Sequence, residues 1–367
     1  MDLLVTEEQD SGSEESIGSP KETFLHLSKV SSIPMNVSDL NLSRNLSVLW
    51  NTSGGLNFDL ILKFERNLRL DGTLLATLLL VYGAVITVGV AGNSLVVLAV
   101  IRKPAMRTAR NVFIINLAIS DLVLCLATTP LTLLEIVPQY WPLGDTPFLC
   151  KLVGTLQATS IFVSTISITA NALDRYYVIL RPTRRALGTS GALLTLPGIW
   201  ACALLLAMPQ FLFRTLQHHD IGLPGLDAVN FCFEEWPVDH GRGYYSVFVM
   251  LVQFFVPLLT VTISYARIVH KLKFRMTKTV VRNGNKTRKD ETRNRKTNIL
   301  LISIAIIFCL SWLPLNMYNI IADFSNPFGD DTDAMLMVYA ICHLLGMSSA
   351  CSNPVLYGWL NLLLQEW

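Results

Sequence analysis

Charged side chains are almost absent from seven long stretches of the 367-residue chain. These stretches, numbered as spans one to seven in chain order, cover Thr73–Ile101, Asn111–Leu134, Leu152–Leu173, Ala186–Phe213, Tyr244–Ala266, Thr297–Ala322 and Ala334–Leu364. Each has about 20 residues or more, enough for a helix to cross a hydrocarbon core of about 30 Å. Because backbone polar groups in lipid must be paired within their own segment, we predict an all-α membrane protein with a seven-transmembrane helix bundle. Only 15% of the residues are charged, which argues against a water-soluble globular protein.

The charges between the spans are distributed unevenly and predict the orientation of the chain. Lys and Arg cluster after spans one, three and five, in the ranges 102–110, 181–185 and 267–296. The alternate loops lack this excess and carry the acidic residues Glu135, Asp145, Asp220, Asp227, Glu234, Glu235, Asp323, Asp330, Asp331 and Asp333. Because basic loops stay in the cytosol, we expect a multi-pass membrane protein with its N-terminus outside and its C-terminus on the cytosolic side.

The segment before span one is polar and predicts a separate extracellular tail, residues 1–72. It contains four Asn-X-Ser/Thr sequons, at Asn36, Asn41, Asn45 and Asn51. Since this tail is assigned to the outside, we expect the four asparagines to be glycosylated and most of the tail to be disordered. The membrane domain should cover residues 73–361, with residues 362–367 as a short cytoplasmic end.

The seven cysteines divide into two groups by position. Only Cys150 and Cys232 lie near the outer face, where disulfides persist, so a single pairing is available to them. This bond would tie the start of span three to the loop Asn230–Pro237. The other five lie inside apolar spans, where we expect them to act as small buried hydrophobic residues: Cys125, Cys202, Cys309, Cys342 and Cys351.

Several polar residues inside or beside the spans are candidates for function. Asp121 lies near mid-membrane, where it could bind an ion such as sodium, pair with another polar residue, or be protonated and structural. Span three ends on Asp174-Arg175-Tyr176, an acid and base that can neutralise each other where water is scarce; the alternative is a chance pair that caps the span. Pro314 and Pro354 have polar or aromatic neighbours and favour hinges. The other prolines of the spans need only kink their helices.

Taken together, these residues resemble the rhodopsin-like G-protein-coupled receptors. One element falls in each span, in the family's order: Gly92-Asn93, Leu117 to Asp121, Asp174 to Tyr176, Trp200, Pro257 with Tyr265, Phe308 to Pro314, and Asn353 to Tyr357. The resemblance covers residues 73–361 and implies coupling to a heterotrimeric G protein. It also implies that the switch between states uses Asp174, Arg175, Tyr176, Tyr265, Phe308, Trp312, Pro314, Asn353, Pro354 and Tyr357.

Five further segments narrow the resemblance to neuropeptide Y receptors, and within these to the invertebrate neuropeptide F receptors. They are 118–126, 130–135, 140–144, 231–237 and 342–350. The resemblance implies a peptide ligand that ends in Arg-X-Arg-Phe/Tyr-amide, and it favours inhibitory G-protein coupling. It also implies six ligand-binding residues, which are Thr132, Gln157 and His343 near the pocket floor, Gln253 in span five, and Asn319 with Asp323 at the outer end of span six. A carboxylate at the mouth of a partly dry pocket suits a guanidinium on general grounds as well.

Other classes of protein fit the sequence less well. Transporters tend to show internal repeats, and the sequence shows none. No metal-ligand cluster or nucleophile–base pair indicates an enzyme, and the expected partners are the peptide, a G protein and membrane lipid, with no nucleic acid and no cofactor. One departure is that the basic, membrane-lying helix typical of the family does not follow Tyr357. This departure makes a truncated, signalling-impaired decoy an alternative. A receptor for another short RF-amide peptide is a second, separate alternative.

Overall fold

The computed structural model describes residues 66–70, 72–103, 108–180, 188–223, 226–279, 284–325, 327 and 332–365. The chain divides into two compact units, one of Arg66–His218 with Asn230–Trp367 and one of Met1–Glu65 with His219–Val229. The larger unit contains the helix bundle, and the described part of the smaller unit is strand residues only. The four predicted glycosylation sites, Asn36, Asn41, Asn45 and Asn51, lie outside the described residues.

Seven helices of the described chain are long and apolar enough to cross a membrane, which confirms the predicted bundle. Their membrane segments are Gly72–Arg102, Asn111–Ile136, Pro147–Asp174, Thr189–Phe213, Gly241–Ile268, Ile302–Ser325 and Ala334–Leu356. The helix of span three continues to Leu180, that of span five continues to Thr279, and that of span six begins at Gly284. Span seven consists of two helices, Thr332–Met347 and Ser349–Gln365.

Spans two and five each contain one wide helical turn in the π conformation. Span two consists of Ala109–Val123, the wide turn Leu124–Thr128, and Thr129–Ile136; span five consists of Gly241–Met250, the wide turn Leu251–Phe255, and Val256–Thr279. Each wide turn ends two residues before a proline, Pro130 or Pro257, which lacks the N–H that a regular helix would use. Such turns rotate the side chains that follow, and they occur frequently at functional sites.

A β-hairpin follows span four, where the sequence predicts only a loop. Strands β1 (Arg214–Leu223) and β2 (Leu226–Glu234) form a two-stranded sheet. Cys232 on β2 is bonded to Cys150 of span three, which confirms the predicted disulfide. Trp141 packs in the same cluster, and its backbone N–H donates to the carbonyl of Asn230 at 2.7 Å. The end of the bundle that carries this bond is called the disulfide end below.

Polar side chains join the spans inside the bundle. Asn93 of span one donates to the carbonyl of Ala350 in span seven at 2.8 Å. Gly92 allows the close approach of these two spans, because a Cβ added to it would lie 2.7 Å from the Pro354 ring. The motif Gly92-Asn93 therefore holds span one against span seven.

The outer surface of the bundle is apolar, as contact with lipid requires. Leu80, Leu194 and Leu205 expose 74%, 81% and 69% of their surface. Cys202 is also exposed, and Cys342 and Cys351 are partly exposed, so the prediction that all five cysteines of the spans are buried holds only for Cys125 and Cys309. Span four is apolar on every side, and its sequence therefore gives no periodicity that separates core-facing from lipid-facing positions.

Candidate functional site

A cavity of about 310 Å³ lies among spans two to seven. This volume falls in the range of pockets that bind small ligands. Both strands of the hairpin contribute to the lining, which includes the disulfide residue Cys232. The charged lining residues are Glu135, Arg214, Glu234 and Arg242, and each lies near the disulfide end of its helix or strand. The other described lining residues are uncharged, so charge is concentrated at the mouth.

Three of the six predicted ligand-binding residues, Gln157, Gln253 and Asn319, line the cavity. The wide turn of span five contains Gln253, whose Oε1 accepts a hydrogen bond from Asn316 at 3.2 Å. The Oε1 atom of Gln157 accepts a hydrogen bond from Thr132 at 3.0 Å. An amide whose oxygen is engaged in this way presents its N–H groups as donors, which suits the carbonyl groups of a ligand.

Thr132 and His343 lie behind the cavity lining. Thr132 is fully buried and contacts Gln157, which itself lines the cavity. His343 is also fully buried, with Nδ1 2.9 Å from the hydroxyl of Tyr82. Its ring stacks on Tyr339, a lining residue, with 5.8 Å between the ring centroids. Both residues thus support the floor from below, and direct contact of either with a ligand stays a prediction.

Asp323, the predicted partner of a ligand arginine, is already paired within the chain. Its Oδ1 lies 3.1 Å from Nε of Arg242, and its Oδ2 accepts a hydrogen bond from Ser246 at 2.8 Å. The Asp323 side chain is 6% exposed, whereas that of Arg242 is 50% exposed. Both Arg242 and Ser246 line the cavity, while Asp323 lies directly behind them. Asn319, one helical turn away, completes this side of the mouth.

A second ion cluster forms around Arg214, the first residue of β1. One of its terminal nitrogens, Nη1, lies 2.6 Å from Oε1 of Glu135 and donates to the carbonyl of Cys150 at 3.3 Å. Its Nε lies 4.0 Å from Oε1 of Glu234. Burial alone would lower the pKa of Arg214, but Glu135, and then Glu234, raise it above its usual value, so the guanidinium stays charged. Gly154 makes room for this group, because a Cβ added there would lie 2.8 Å from the Arg214 Nε.

Sequence reasoning did not find these two ion clusters. Glu135 and Glu234 are recognised only as members of acidic loops, and neither Arg214 nor Arg242 is singled out. Arg214 and Glu135 are 79 residues apart in the sequence, so no local sequence pattern predicts that they pair. One signal was present, since each arginine lies directly beside a long uncharged stretch, where an unpaired cation is costly.

The predicted switch residues lie on the far side of the cavity from its mouth. Trp312 lines the cavity and donates to the hydroxyl of Ser349 at 3.1 Å, which joins spans six and seven. Its ring packs against Phe308, at 6.3 Å between centroids, and against Gly346, where an added Cβ would lie 2.9 Å from the ring. Pro314 lies within the helix one half-turn further along. A ligand that enters the cavity can therefore press directly on this packing.

The remaining switch candidates lie deeper in the bundle or at its opposite end. Asn353 donates to Oδ2 of Asp121 at 2.7 Å, and an ion at Asp121 stays a prediction. Asp174 ends the membrane segment of span three, and the Tyr176 ring lies edge-on to Tyr177 at 5.5 Å. The side chains of Arg175, Tyr265 and Tyr357 lie outside the described part of the structure. Their roles stay predictions.

A bundle of seven membrane spans holds a ligand-sized cavity among spans two to seven, and a disulfide-bonded hairpin lies at the mouth of this cavity; this arrangement is typical of a membrane receptor. The chain matches the model of the family described as "7 transmembrane receptor (rhodopsin family)" over residues 92–357, which is more than half of its length. It therefore belongs to the rhodopsin family of seven-transmembrane receptors, and it is a multi-pass protein of the plasma membrane.

Three curated proteins show the nearer similarity of this chain. A "Neuropeptide F receptor" of Drosophila melanogaster is 52% identical over 336 residues, covering 89% of this chain and 67% of that protein. A "Putative neuropeptide Y receptor 11" of Caenorhabditis elegans is 36% identical over 296 residues, covering 76% of this chain and 71% of that protein. A "Neuropeptide Y receptor type 1" of Xenopus laevis is 31% identical over 320 residues, covering 86% of this chain and 85% of that protein. These similarities confirm the narrower resemblance found in the sequence.

Proposed function

We propose that this chain is a G-protein-coupled receptor for an amidated peptide of the neuropeptide F or neuropeptide Y type. The observation that carries the proposal is the polarity of the cavity, which has amide side chains at depth and charged side chains at its mouth. Gln157, Gln253 and Asn316 line the deep part, while two carboxylates and two arginines line the mouth: Glu135, Glu234, Arg214 and Arg242. The names of the similar proteins point to the same class of ligand.

The chemistry of such a peptide matches the two parts of this cavity. An amidated C-terminus is uncharged and carries both a carbonyl and an NH₂ group, which suits the side-chain amides of Gln157 and Gln253. A free carboxylate at the same depth would lose its hydration, and desolvation would oppose its binding, because the two arginines of the described lining, Arg214 and Arg242, lie at the mouth and are already paired with carboxylates. An arginine just before the C-terminus would remain near the mouth, where Asp323 can receive its guanidinium.

Signal transfer through the bundle follows from the position of Trp312. A ligand shifts an equilibrium between two states only by its differential affinity for them. Trp312 touches the cavity on one side and span seven on the other, so its packing can differ between the two states. In this proposal the N-terminus is extracellular. The end of the bundle opposite to the disulfide end, which carries Asp174 and Arg175, contacts a heterotrimeric G protein of the inhibitory class.

Ligand-stimulated nucleotide exchange on purified G protein, in membranes that contain the full chain, tests this function. The peptide panel includes one ending in Arg-X-Arg-Phe-amide, its free-acid form, and other short RF-amide peptides. We expect the amidated peptide to stimulate exchange and the free acid to be much weaker. Equal activity of the two forms would contradict the proposed floor, and activity of only unrelated RF-amides would favour the alternative ligand class.

The class of G protein is tested in the same membranes. Exchange is measured on an inhibitory G protein and, as the matched comparison, on a stimulatory one. Preferential exchange on the inhibitory protein is the expected result. Stimulation of only the other protein would overturn the proposed coupling and leave the peptide assignment intact.

A further inference from the structure

The two ion clusters at the mouth differ in how firmly they are held. In the first, the Arg214 side chain is only 15% exposed and lies between Glu135, Glu234 and a backbone carbonyl, over the space left by Gly154. In the second, Arg242 is half exposed and touches Asp323 through Nε. Water competes for this half-exposed guanidinium, which weakens its hold on Asp323. The Arg242 side chain is therefore the replaceable cation of the mouth.

Arg242 also has a second acceptor close at hand. Its Nε lies 3.1 Å from Oδ1 of Asp323 and 3.8 Å from Oε2 of Glu234. A change of side-chain rotamer can therefore move the guanidinium from one carboxylate to the other without moving the backbone. Glu234 is 12% exposed, so a second cation close to it would be only partly screened by water.

The acidic partner, in contrast, is fixed in place. Asp323 is 6% exposed, and Ser246 of span five donates to its other oxygen at 2.8 Å. Removing Arg242 without a replacement would leave a nearly buried carboxylate with a single neutral donor, which is unfavourable. The geometry thus provides a cation site that must be filled, and a resident cation that can leave it.

We infer that Arg242 is an internal stand-in for a ligand guanidinium: it neutralises Asp323 in the free receptor and moves to Glu234 when a ligand arginine takes its place. This inference rests on the proposed peptide ligand and adds a specificity-determining residue to it. The exchange keeps the number of ion pairs almost constant. Only a ligand cation that can form the bond at least as well as Arg242 gains from it, so a neutral side chain at that peptide position is rejected.

The two possible roles of Arg242, a competitor of the ligand arginine or a structural contact, predict opposite effects of its removal on peptide affinity. If Arg242 competes for Asp323, then Arg242→Gln should raise the affinity for the arginine peptide. Water around the half-exposed guanidinium weakens the pair of Arg242 with Asp323, so the gain should be on the order of two- to five-fold. If Arg242 only holds spans five and six together, its loss should lower the affinity for every peptide. A direct contact between Arg242 and the ligand would also lower it.

Competition binding to membranes with the full chain tests the inference. The probe is the peptide ending in Arg-X-Arg-Phe-amide, and its matched control has each Arg in turn replaced by citrulline, a neutral isostere. Arg242→Gln should bind the arginine peptide more tightly than the unsubstituted receptor does. It should show no such gain for the peptide whose citrulline replaces the arginine that contacts Asp323. Arg242→Lys, which keeps the charge, should stay near the unsubstituted receptor. Arg242→Ala makes the same comparison as Arg242→Gln if the latter does not reach the membrane.

A receptor that also carries Asp323→Asn tests whether Asp323 is the carboxylate for which the two cations compete. In Asp323→Asn, no site remains for which the two cations compete, so adding Arg242→Gln should give no further gain. Salt provides an independent readout, because binding to Arg242→Gln creates a new ion pair and should weaken more steeply with added salt than binding to the unsubstituted receptor. Unchanged or lower affinity of Arg242→Gln, or a gain that persists in Asp323→Asn, would overturn the inference. Failure of the unsubstituted receptor to bind any of the peptides would instead count against the proposed function.

Discussion

Replacement of Gly92 by alanine tests the packing of span one against span seven. The added Cβ would lie 2.7 Å from Cγ and 2.8 Å from Cβ of Pro354. Carbon atoms in favourable contact are about 3.5–4.0 Å apart, so both contacts are short by about 1 Å. The proline ring is rigid and lies inside a helix, and it cannot rotate away as a flexible side chain could.

The magnitude follows from two opposing effects. Overpacking of a tight interior costs about 1–3 kcal/mol. Alanine in place of glycine within a helix returns up to about 1 kcal/mol. Gly83 provides the matched control, since it lies in the same helix and no atom is within 4 Å of its added Cβ. We expect Gly92→Ala to be about 1–3 kcal/mol less stable than Gly83→Ala.

Thermal denaturation of the purified receptor in detergent, followed by loss of specific peptide binding or by intrinsic fluorescence, measures this difference. Gly83→Ala should denature at or slightly above the temperature of the unsubstituted receptor, and Gly92→Ala clearly below Gly83→Ala. If the two variants denature at the same temperature, spans one and seven are not packed tightly at Pro354. The conclusion that Gly92-Asn93 holds span one against span seven would then be wrong.

Three further predictions concern the mouth and the opposite end of the bundle. Arg214→Gln should destabilise the receptor by about 2–3 kcal/mol, and more than Glu135→Gln, because it leaves two carboxylates without their cation; equal denaturation temperatures would contradict the cluster. Cys232→Ser should lower the amount of folded receptor at the cell surface and abolish high-affinity peptide binding, and free thiols at both cysteines with binding retained would refute this. Asp174→Asn should raise basal nucleotide exchange, whereas Arg175→Ala should reduce stimulated exchange and leave peptide affinity largely intact; unchanged signalling by Arg175→Ala would contradict the switch.

The seven spans could be predicted from the sequence because each one is a local property. An uncharged stretch of sufficient length has one stable structure in lipid, whatever the rest of the chain does. The disulfide between Cys150 and Cys232 could also be predicted, since the orientation of the chain in the membrane places only these two cysteines near the outer face. The exposure of Cys202 could not, because it depends on the rotation of an apolar helix about its own axis.

The wide turns and the ion clusters could not be predicted, for different physical reasons. Pro130 and Pro257 indicate that the helix is disturbed, but the same residue also produces a simple kink. Whether a π turn forms depends on the neighbouring spans that pack against it. The partners of Arg214 and Asp323 are brought together by β2 and by the start of span five, and neither element has a sequence pattern that predicts its position beside the cavity.

The candidate site was predicted in part. Gln157, Gln253 and Asn319 do line the cavity, and the resemblance to known receptors identified them. Thr132 and His343 lie one layer further in, a distinction that a residue-by-residue comparison of sequences does not contain. The Arg242 partner of Asp323 changes the expected energetics most, because a ligand arginine must displace a cation there and does not find an unpaired acid.

The placement of Arg214 makes the mouth of the cavity mechanically uneven. On one side, the disulfide and the Arg214 cluster join spans two and three to both strands, so this side should move as a rigid block. On the other side, spans five and six meet at the mouth through noncovalent side-chain contacts: Arg242 and Ser246 contact Asp323, and the rings of His240 and Tyr244 pack against Phe324. A peptide that widens the entrance will therefore displace mainly spans five and six. Because Trp312 belongs to span six, the compliant side of the entrance is also the side that carries the switch.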